Sequence, residues 1–330
     1  MTRAIRDLLS IRWADEGLAL IEPPWPSPIV ADPSFLFPEE TPDGSWALAC
    51  HDAFGLLLYE SADGLSWSRP RRIAFNGMRG FLRKVDSSYL LWYEAYRPLG
   101  IAMTVLPRPP RWKSRISLME SDDLFRWSSP RSLLMPGPDW TAAKGLGRSV
   151  SNPCAVEVGQ GRWRLYCSAG LAFVPDCGFT EPRHLALAEG TEPRGPFALR
   201  DAPIKVEYAE PPSSGEKARD GPPEIGAGSM KAIRCSDGWV GFQNLIARGP
   251  GGKSRSFIRL LSSVDGIAWT VAQGKPLLEP SSGWRSSHVY ACDVRFREAD
   301  GRWYLYYNAR DGWYKTQGRE RIGRLVGISG

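Results

Sequence analysis

The chain has 330 residues, with 42 Lys and Arg against 36 Asp and Glu, giving a formal net charge of +6. A hydrophobic content of 42%, including 14 Trp, 11 Tyr and 12 Phe, argues for a large packed core and against disorder. No segment approaches the roughly 18 apolar residues of a membrane span, and Met1 to Leu9 lacks the apolar stretch of a secretory signal, so a cytoplasmic protein is expected.

In chain order, Asp7 to Trp13 allows one short helix, and Leu18–Ile21 is a short apolar run. A first unit follows. Asp32-Pro33-Ser34-Phe35-Leu36 leads through Asp43-Gly44 to Trp46-Ala47-Leu48, then Leu56–Tyr59, then the turn Ser61-Ala62-Asp63-Gly64-Leu65-Ser66-Trp67. The pattern recurs. The second unit runs from Arg79-Gly80-Phe81-Leu82 through Tyr89–Tyr93 and Ile116–Met119 to Ser121-Asp122-Asp123-Leu124-Phe125-Arg126-Trp127. The third runs from Asn152-Pro153-Cys154 through Trp163–Tyr166 and Leu185–Ala188 to a degenerate turn, Glu189 to Phe197. The fourth runs from Ser229-Met230-Lys231 through Asp237-Gly238-Trp239 and Ile258–Leu261 to Ser263-Val264-Asp265-Gly266-Ile267-Ala268-Trp269. The fifth runs from Cys292-Asp293-Val294 through Asp300-Gly301 to Trp303–Tyr306 and ends in Arg324–Ile328.

Apolar and polar residues alternate within these runs, as in half-buried strands, and acidic-Gly turns separate them. Repetition of one sheet unit that protects its edges radially gives an all-β, five-bladed β-propeller with a central funnel-shaped site. The blades are expected near 30–70, 76–130, 148–200, 226–272 and 286–330 of a single domain, with Leu18–Ile21 pairing beside Arg324–Ile328 to close the ring. Three long segments, Tyr96 to Ser114, Asp139 to Ser149 and Ala202 to Gly228, are expected as functional loops.

The six cysteines form no CxxC and no Cys/His cluster, so buried reduced thiols are expected, with only Cys177 exposed. Basic residues gather late in the chain, from Lys231 to Arg324. They form either a solvated face or an attraction for an anionic ligand such as a phosphorylated or acidic sugar. Nothing marks a nucleic-acid reader.

Asp32-Pro33-Ser34 on the first inner strand, the five units and the Ser-x-Asp-Gly-x-x-Trp turns together resemble the five-bladed propeller glycosidases. The chain is most similar to glycoside hydrolase family 43, whose fold is shared with families 32, 68, 117 and 130. The resemblance implies a glycosidase acting on a small, possibly anionic glycoside, with inverting general acid/base hydrolysis. A phosphorylase or glycosyl-transferring relative and a non-catalytic carbohydrate-binding propeller are the alternatives. It implies Asp32 as general base, although an Asp before Pro33 also suits a turn. The family's second carboxylate falls on Asn152, an amide that bonds hydroxyls but carries no charge. Its general acid falls on Ser229, which makes Glu224 the leading acid, with Asp293 and Glu94 as competitors. His288 is expected at the funnel, Arg79 as a clamp for sugar or anion, and Tyr290, Trp140, Trp284 and Trp313 as stacking surfaces. No cofactor is expected to be required. A central cation such as calcium is compatible with the resemblance, but no dense carboxylate motif indicates one.

Overall fold

The computed structural model describes residues 3–106, 109–208 and 224–328. Five antiparallel sheets surround one axis, each starting at its innermost strand. Blade 1 is Ala31–Leu36, Trp46–His51, Gly55–Ser61 and Arg71–Phe75. Blade 2 is Gly77–Val85, Ser88–Tyr96, Trp112–Ser121 and Arg131–Leu134, extended by the short pair Ala142–Ala143 and Gly147–Arg148. Blade 3 is Val150–Gly159, Arg162–Ala169, His184–Gly190 and Phe197–Leu199. Blade 4 is Met230–Arg234, Trp239–Arg248, Ser254–Ser263 and Trp269–Val271, flanked by Val206–Tyr208 and Glu224–Gly226. Blade 5 is His288–Arg297, Arg302–Arg310 and Glu320–Ile328.

The fourth strand of blade 5 comes from the N-terminal part of the chain, but from a different segment than expected. Arg12–Asp15 pairs antiparallel with Leu325–Ile328, while Leu18–Ile21 contributes only an isolated bridge, Ile21 to Ile322. Burial explains the choice: Trp13 lies against Gly327 and meets Phe242 edge-on, whereas Leu18 is mostly exposed. The preceding helix, Ile5–Leu9, buries Leu8 and is tied to blade 4 by Ile5 N–H donating to Asp237 Oδ1 at 2.8 Å.

The repeated turn has a definite job in this ring. Asp63 Oδ1 accepts the Leu65 and Ser66 N–H groups at 2.7 and 2.8 Å, which fixes the turn and turns its carbonyls outward. The Gly64 carbonyl then accepts Tyr306 Oη at 2.6 Å from blade 5. Leu124 of blade 2 accepts Arg71 of blade 1 at 2.9 Å, and Pro193 of blade 3 accepts Trp92 Nε1 of blade 2 at 3.0 Å. Gly266 of blade 4 accepts Tyr166 Oη of blade 3 at 2.9 Å. Each turn latches its blade to the one before. The degenerate third copy does so without the acidic-Gly sequence.

All six cysteines are free and buried, including Cys177, which was expected to be exposed. Its thiol is covered because the hairpin Ala172–Val174 and Phe179–Glu181 folds back over blade 4, placing Cys177 Sγ 2.9 Å from Ser254 Oγ and 3.3 Å from His288 Nε2. Among the described residues, no helix is long and apolar enough to cross a membrane.

Candidate active site

The first strand of a blade runs down the axis, and four of the five strands break register near their start. The shifts fall between Ala31 and Ser34, Met78 and Phe81, Ser151 and Cys154, and Val289 and Cys292. Such bulges re-aim a side chain out of the sheet. At the first three, Asp32, Arg79 and Asn152 take left-handed φ values of 55, 54 and 51°. A non-glycine residue holds that conformation at a cost of about 1 kcal/mol or more, so its recurrence at one level of three blades marks the funnel floor as a built site. Blade 4 uses Gly228, at φ 58°, beside Ser229. Asp32, Arg79, Asn152, Ser229 and Tyr290 all line one cavity of about 390 Å³.

Asp32 is the most strongly held of these. His51, the last residue of the strand paired with Ala31–Leu36, places Nε2 2.8 Å from Asp32 Oδ2 and Nδ1 3.0 Å from the Asp52 carbonyl. The carbonyl accepts only, so Nδ1 carries a hydrogen, and one further proton lies between Nε2 and Oδ2. Burial opposes charge on both groups. It is outweighed on Asp32 by the His51 hydrogen bond and charge, with Arg79 and Lys231 beyond, which hold the carboxyl below its ordinary range. On His51 it is outweighed by Asp32, which holds the imidazole above its ordinary range. The pair is therefore carboxylate and imidazolium. Oδ1 accepts no hydrogen bond among the described residues.

Two further carboxyl groups face the cavity. Glu181 lies at the end of the Phe179–Glu181 strand, and its carboxylate's one hydrogen-bond partner among the described residues is Arg79, whose Nη2 donates to Oε2 at 3.4 Å. Burial pushes its pKa up to about 7; Arg79 pulls against this, while the charges of Glu320, Asp32 and Glu94 add to it. Glu320, at the start of the third strand of blade 5, is raised by burial too. It is more fully bonded, accepting Arg310 Nη1 at 3.1 Å and Asn308 Nδ2 at 3.3 Å. Glu181 and His51 were missed by sequence reading. His51 was visible in principle, because antiparallel pairing of the first two runs brings it opposite Ala31. Glu181 carried no local signal.

Several expected site residues lie elsewhere. Glu224 does not line the cavity: its carboxylate meets Arg259 Nη2 at 3.0 Å and Tyr208 Oη at 3.2 Å within blade 4. Asp293 is fully buried below the floor, where it accepts Arg83 at 2.7 and 2.8 Å, Ser34 Oγ at 3.0 Å and Phe35 N–H at 3.1 Å. With its oxygens so occupied, it pins blades 1, 2 and 5 together. Glu94 is buried behind Arg79, accepting its Nη1 at 2.8 Å and Trp112 Nε1 at 2.9 Å, so it positions the guanidinium and does not reach the cavity. His288 is buried behind Tyr290, its ring stacked on it at 5.5 Å, and burial together with Arg310 lowers its pKa to about 4. Trp140 donates to the Asp201 carbonyl at 2.6 Å, Trp284 stacks on Tyr307, and Trp313 donates to Asp176; none of the three lines the cavity.

Several of the late basic residues are engaged in ion pairs. Arg285 meets Asp15, Arg310 meets Glu320, Arg321 meets Glu22 and Asp311, and Arg324 meets Glu16. Arg285, Arg321 and Arg324 fasten blade 5 to the N-terminal segment, and Arg310 pairs within blade 5. The axial residues do not fit a central cation. His288 faces a thiol, and Lys231 sets its ammonium 3.1 Å from the Pro153 carbonyl and 4.8 Å from the Phe81 ring, where a metal would meet like charge. Among the described residues, no group of three or more His, Cys, Asp or Glu is arranged to hold a metal ion.

No family model matches the sequence, and no curated protein matches it. Solved structures do. The catalytic domain of a family 62 α-L-arabinofuranosidase from Coprinopsis cinerea aligns with a TM-score of 0.61 at 13% identity, covering 96% of this chain and 97% of that one. A family 117 glycoside hydrolase from Zobellia galactanivorans aligns with a TM-score of 0.57 at 13% identity, covering 98% and 92%. An N-acetylgalactosamine deacetylase from F. plautii, in complex with blood group B trisaccharide, aligns with a TM-score of 0.62 at 13% identity, covering 96% and 95%. The chain thus has the five-bladed β-propeller fold found in glycoside hydrolases. At this identity the likeness fixes the fold, and the chemistry rests on the side chains.

Proposed function

We propose that the chain is a glycoside hydrolase acting on small glycosides, with Asp32 as general base and Glu181 as general acid. The observation that carries this reading is one cavity holding two carboxyl groups whose surroundings push their proton affinities apart. Asp32 stays ionised at neutral pH because His51 neutralises it; Glu181, raised to about 7 by burial and by the neighbouring carboxylates, keeps a protonated fraction there that grows as pH falls.

The chemistry follows from those states. Asp32 Oδ1 takes a proton from water as the water oxygen bonds to the anomeric carbon. The glycosidic C–O bond breaks, and its oxygen takes the Glu181 proton. Asp32 ends protonated and Glu181 ionised, and exchange with solvent restores both. Attack by water on the face opposite the leaving oxygen inverts the anomeric centre. The hydroxyl and amide groups of Asn152, Ser229, Asn244 and Asn308 suit sugar hydroxyls. Among the described residues Arg79 is the one guanidinium lining the cavity, and it is already shared between Glu94 and Glu181, which favours a neutral sugar over the phosphorylated or acidic one. Free buried thiols suit a reducing compartment, in keeping with a cytoplasmic enzyme.

The test is hydrolysis of a panel of 4-nitrophenyl furanosides and pyranosides. Asp32→Asn and Glu181→Gln are each expected to lower kcat by about 10²–10⁴-fold, while Glu224→Gln leaves it unchanged. Binding of glycosides with no turnover by the wild-type protein would replace this reading with a non-catalytic carbohydrate-binding one, for which Asn152 and Ser229 speak.

A further inference from the structure

The cavity is chemically divided. Its floor is polar: Asp32, Arg79 and Asn152 come from inner strands, Ser229 from just before one, and Asn308 from the second strand of blade 5. Its mouth is apolar and comes from the connections between strands: Ile101, Leu146, Phe173 and Phe179. Phe173 is 47% exposed, a large apolar side chain left facing the opening. Surface of this kind contributes to binding when a ligand covers it.

Three blades hold this wall in place. Ile101 lies in the short helix Gly100–Met103 that follows the second strand of blade 2. Lys315, in the last connection of blade 5, donates Nζ to the Thr104 carbonyl at 2.7 Å and its N–H to the Cys177 carbonyl at 2.9 Å. The blade 2 segment and the blade 3 hairpin are therefore tied to the same residue. Among the described residues, the wall's polar groups offer little to a second sugar. Thr104 Oγ1 already donates to the Ile101 carbonyl at 2.6 Å, which leaves Thr180 as the free hydroxyl of the hairpin among the described residues. Sugar hydroxyls set against Ile101, Leu146, Phe173 and Phe179 would lose their hydrogen bonds to water without replacement.

The hairpin also settles which end of the substrate meets this wall. Phe179 and Glu181, two residues apart on one strand, share a face of the hairpin, while Phe173 lies opposite Thr180 on its other face, at the rim. Whatever is bonded to the oxygen that Glu181 protonates therefore leaves past Phe179.

We propose that the cavity mouth is a subsite for an apolar aglycone, aryl or alkyl, so that the substrate is a glycoside of an apolar alcohol and not an oligosaccharide. This rests on the acid assignment to Glu181 for its orientation. The test is calorimetric binding to Asp32→Asn protein of phenyl, octyl and methyl glycosides of the same sugar, over glucose, galactose, xylose and arabinofuranose. For the sugar that binds, the phenyl or octyl glycoside is expected to bind at least about tenfold more tightly than the methyl glycoside. The phenyl and octyl arms separate an aromatic from an alkyl occupant. Phe173→Ser and Leu146→Asn are expected to reduce that ratio to about twofold, while Phe125→Ser, on the exposed blade 2 turn, leaves it intact. Equal affinities, a ratio untouched by Phe173→Ser, or no glycoside binding at all would overturn the proposal. A preserved ratio in a protein that hydrolyses none of these glycosides would sink the acid/base assignment alone, and hydrolysis with no preference would sink the aglycone subsite alone.

Discussion

His51 Nε2 lies 2.8 Å from Asp32 Oδ2, and the other ring nitrogen faces a carbonyl, so one carboxylate oxygen is held by an imidazolium while its twin is left to the cavity. The arrangement holds Asp32 ionised and fixed in direction, as its proposed role of base requires. It also makes the pair a stability element with a defined pH window.

Asp32 has a folded pKa below its ordinary 3.8, so its contribution is present above 3.8 and is lost as pH falls through the lower folded value. His51 has a folded pKa above its ordinary 6.5, so its contribution is present below 6.5 and is lost as pH rises through the higher folded value. Between these limits both are complete. His51→Gln is expected to lower stability by about 1–3 kcal/mol near pH 5.5, with the difference shrinking well above pH 7. Urea denaturation at several pH values measures it; a constant difference across the range would mean the pair shares no proton.

Glu181 follows the opposite logic. Its pKa of about 7, against an ordinary 4.5, means that ionising it in the folded protein opposes stability as pH rises. Glu181→Gln is expected to be more stable than the wild type at pH 8.5 by about 1–3 kcal/mol, and no more stable at pH 4. Thermal melts at the two pH values check this, and the same titration should form the alkaline limb of kcat/KM near pH 7.

Arg79 connects the buried Glu94 to Glu181 at 2.8 and 3.4 Å. Arg79→Met would leave Glu94 as an unpaired charge in a fully buried position, at a cost of about 3–5 kcal/mol. It would also remove the positive charge that restrains Glu181, so the alkaline limb should move to higher pH. A limb that stays in place, in a variant that still folds, would separate Arg79 from the acid.

The turn latches make a structural prediction free of the chemistry. Tyr166 is fully buried and donates to the Gly266 carbonyl of the next blade. Tyr166→Phe is expected to cost about 1–2 kcal/mol in denaturant unfolding while kcat stays unchanged. A loss of activity without a loss of stability would show that the latch positions the site.

The ring of blades was legible because its signals are local. Asp43-Gly44 and Asp237-Gly238 are turn chemistry, and the strands that follow them bring Trp46 and Trp239 back into the core. Asp32, Arg79, Asn152 and Tyr290, singled out in the sequence, all line the cavity, the first three at one level of inner strands that the repeat locates. The rest of the site was hidden because it depends on how connections fold over the axis. Glu181 reaches the cavity through a hairpin between the second and third strands of blade 3, and Glu320 through the start of the last strand. Asp293 was expected as a competitor for the acid because, like Asp32, it is an acidic residue on an inner strand. A shift of position along that strand separates a carboxylate in the cavity from one bonded to Arg83 beneath it. Segment closure was misjudged on hydrophobicity alone: Leu18–Ile21 is more apolar than Arg12–Asp15, yet Trp13 supplies the larger contact.

The pairing of an ionised Asp32 with a protonated Glu181 is tested most directly by the leaving-group dependence of Glu181→Gln. Aryl glycosides of one sugar, with phenols of graded acidity, are hydrolysed by the wild type and the variant at pH 6. If Glu181 donates the proton, the variant should lose at least about 100-fold in kcat with the least acidic phenol and little with the most acidic one. An equal loss across the series, or none, would contradict the assignment of Glu181 as the acid.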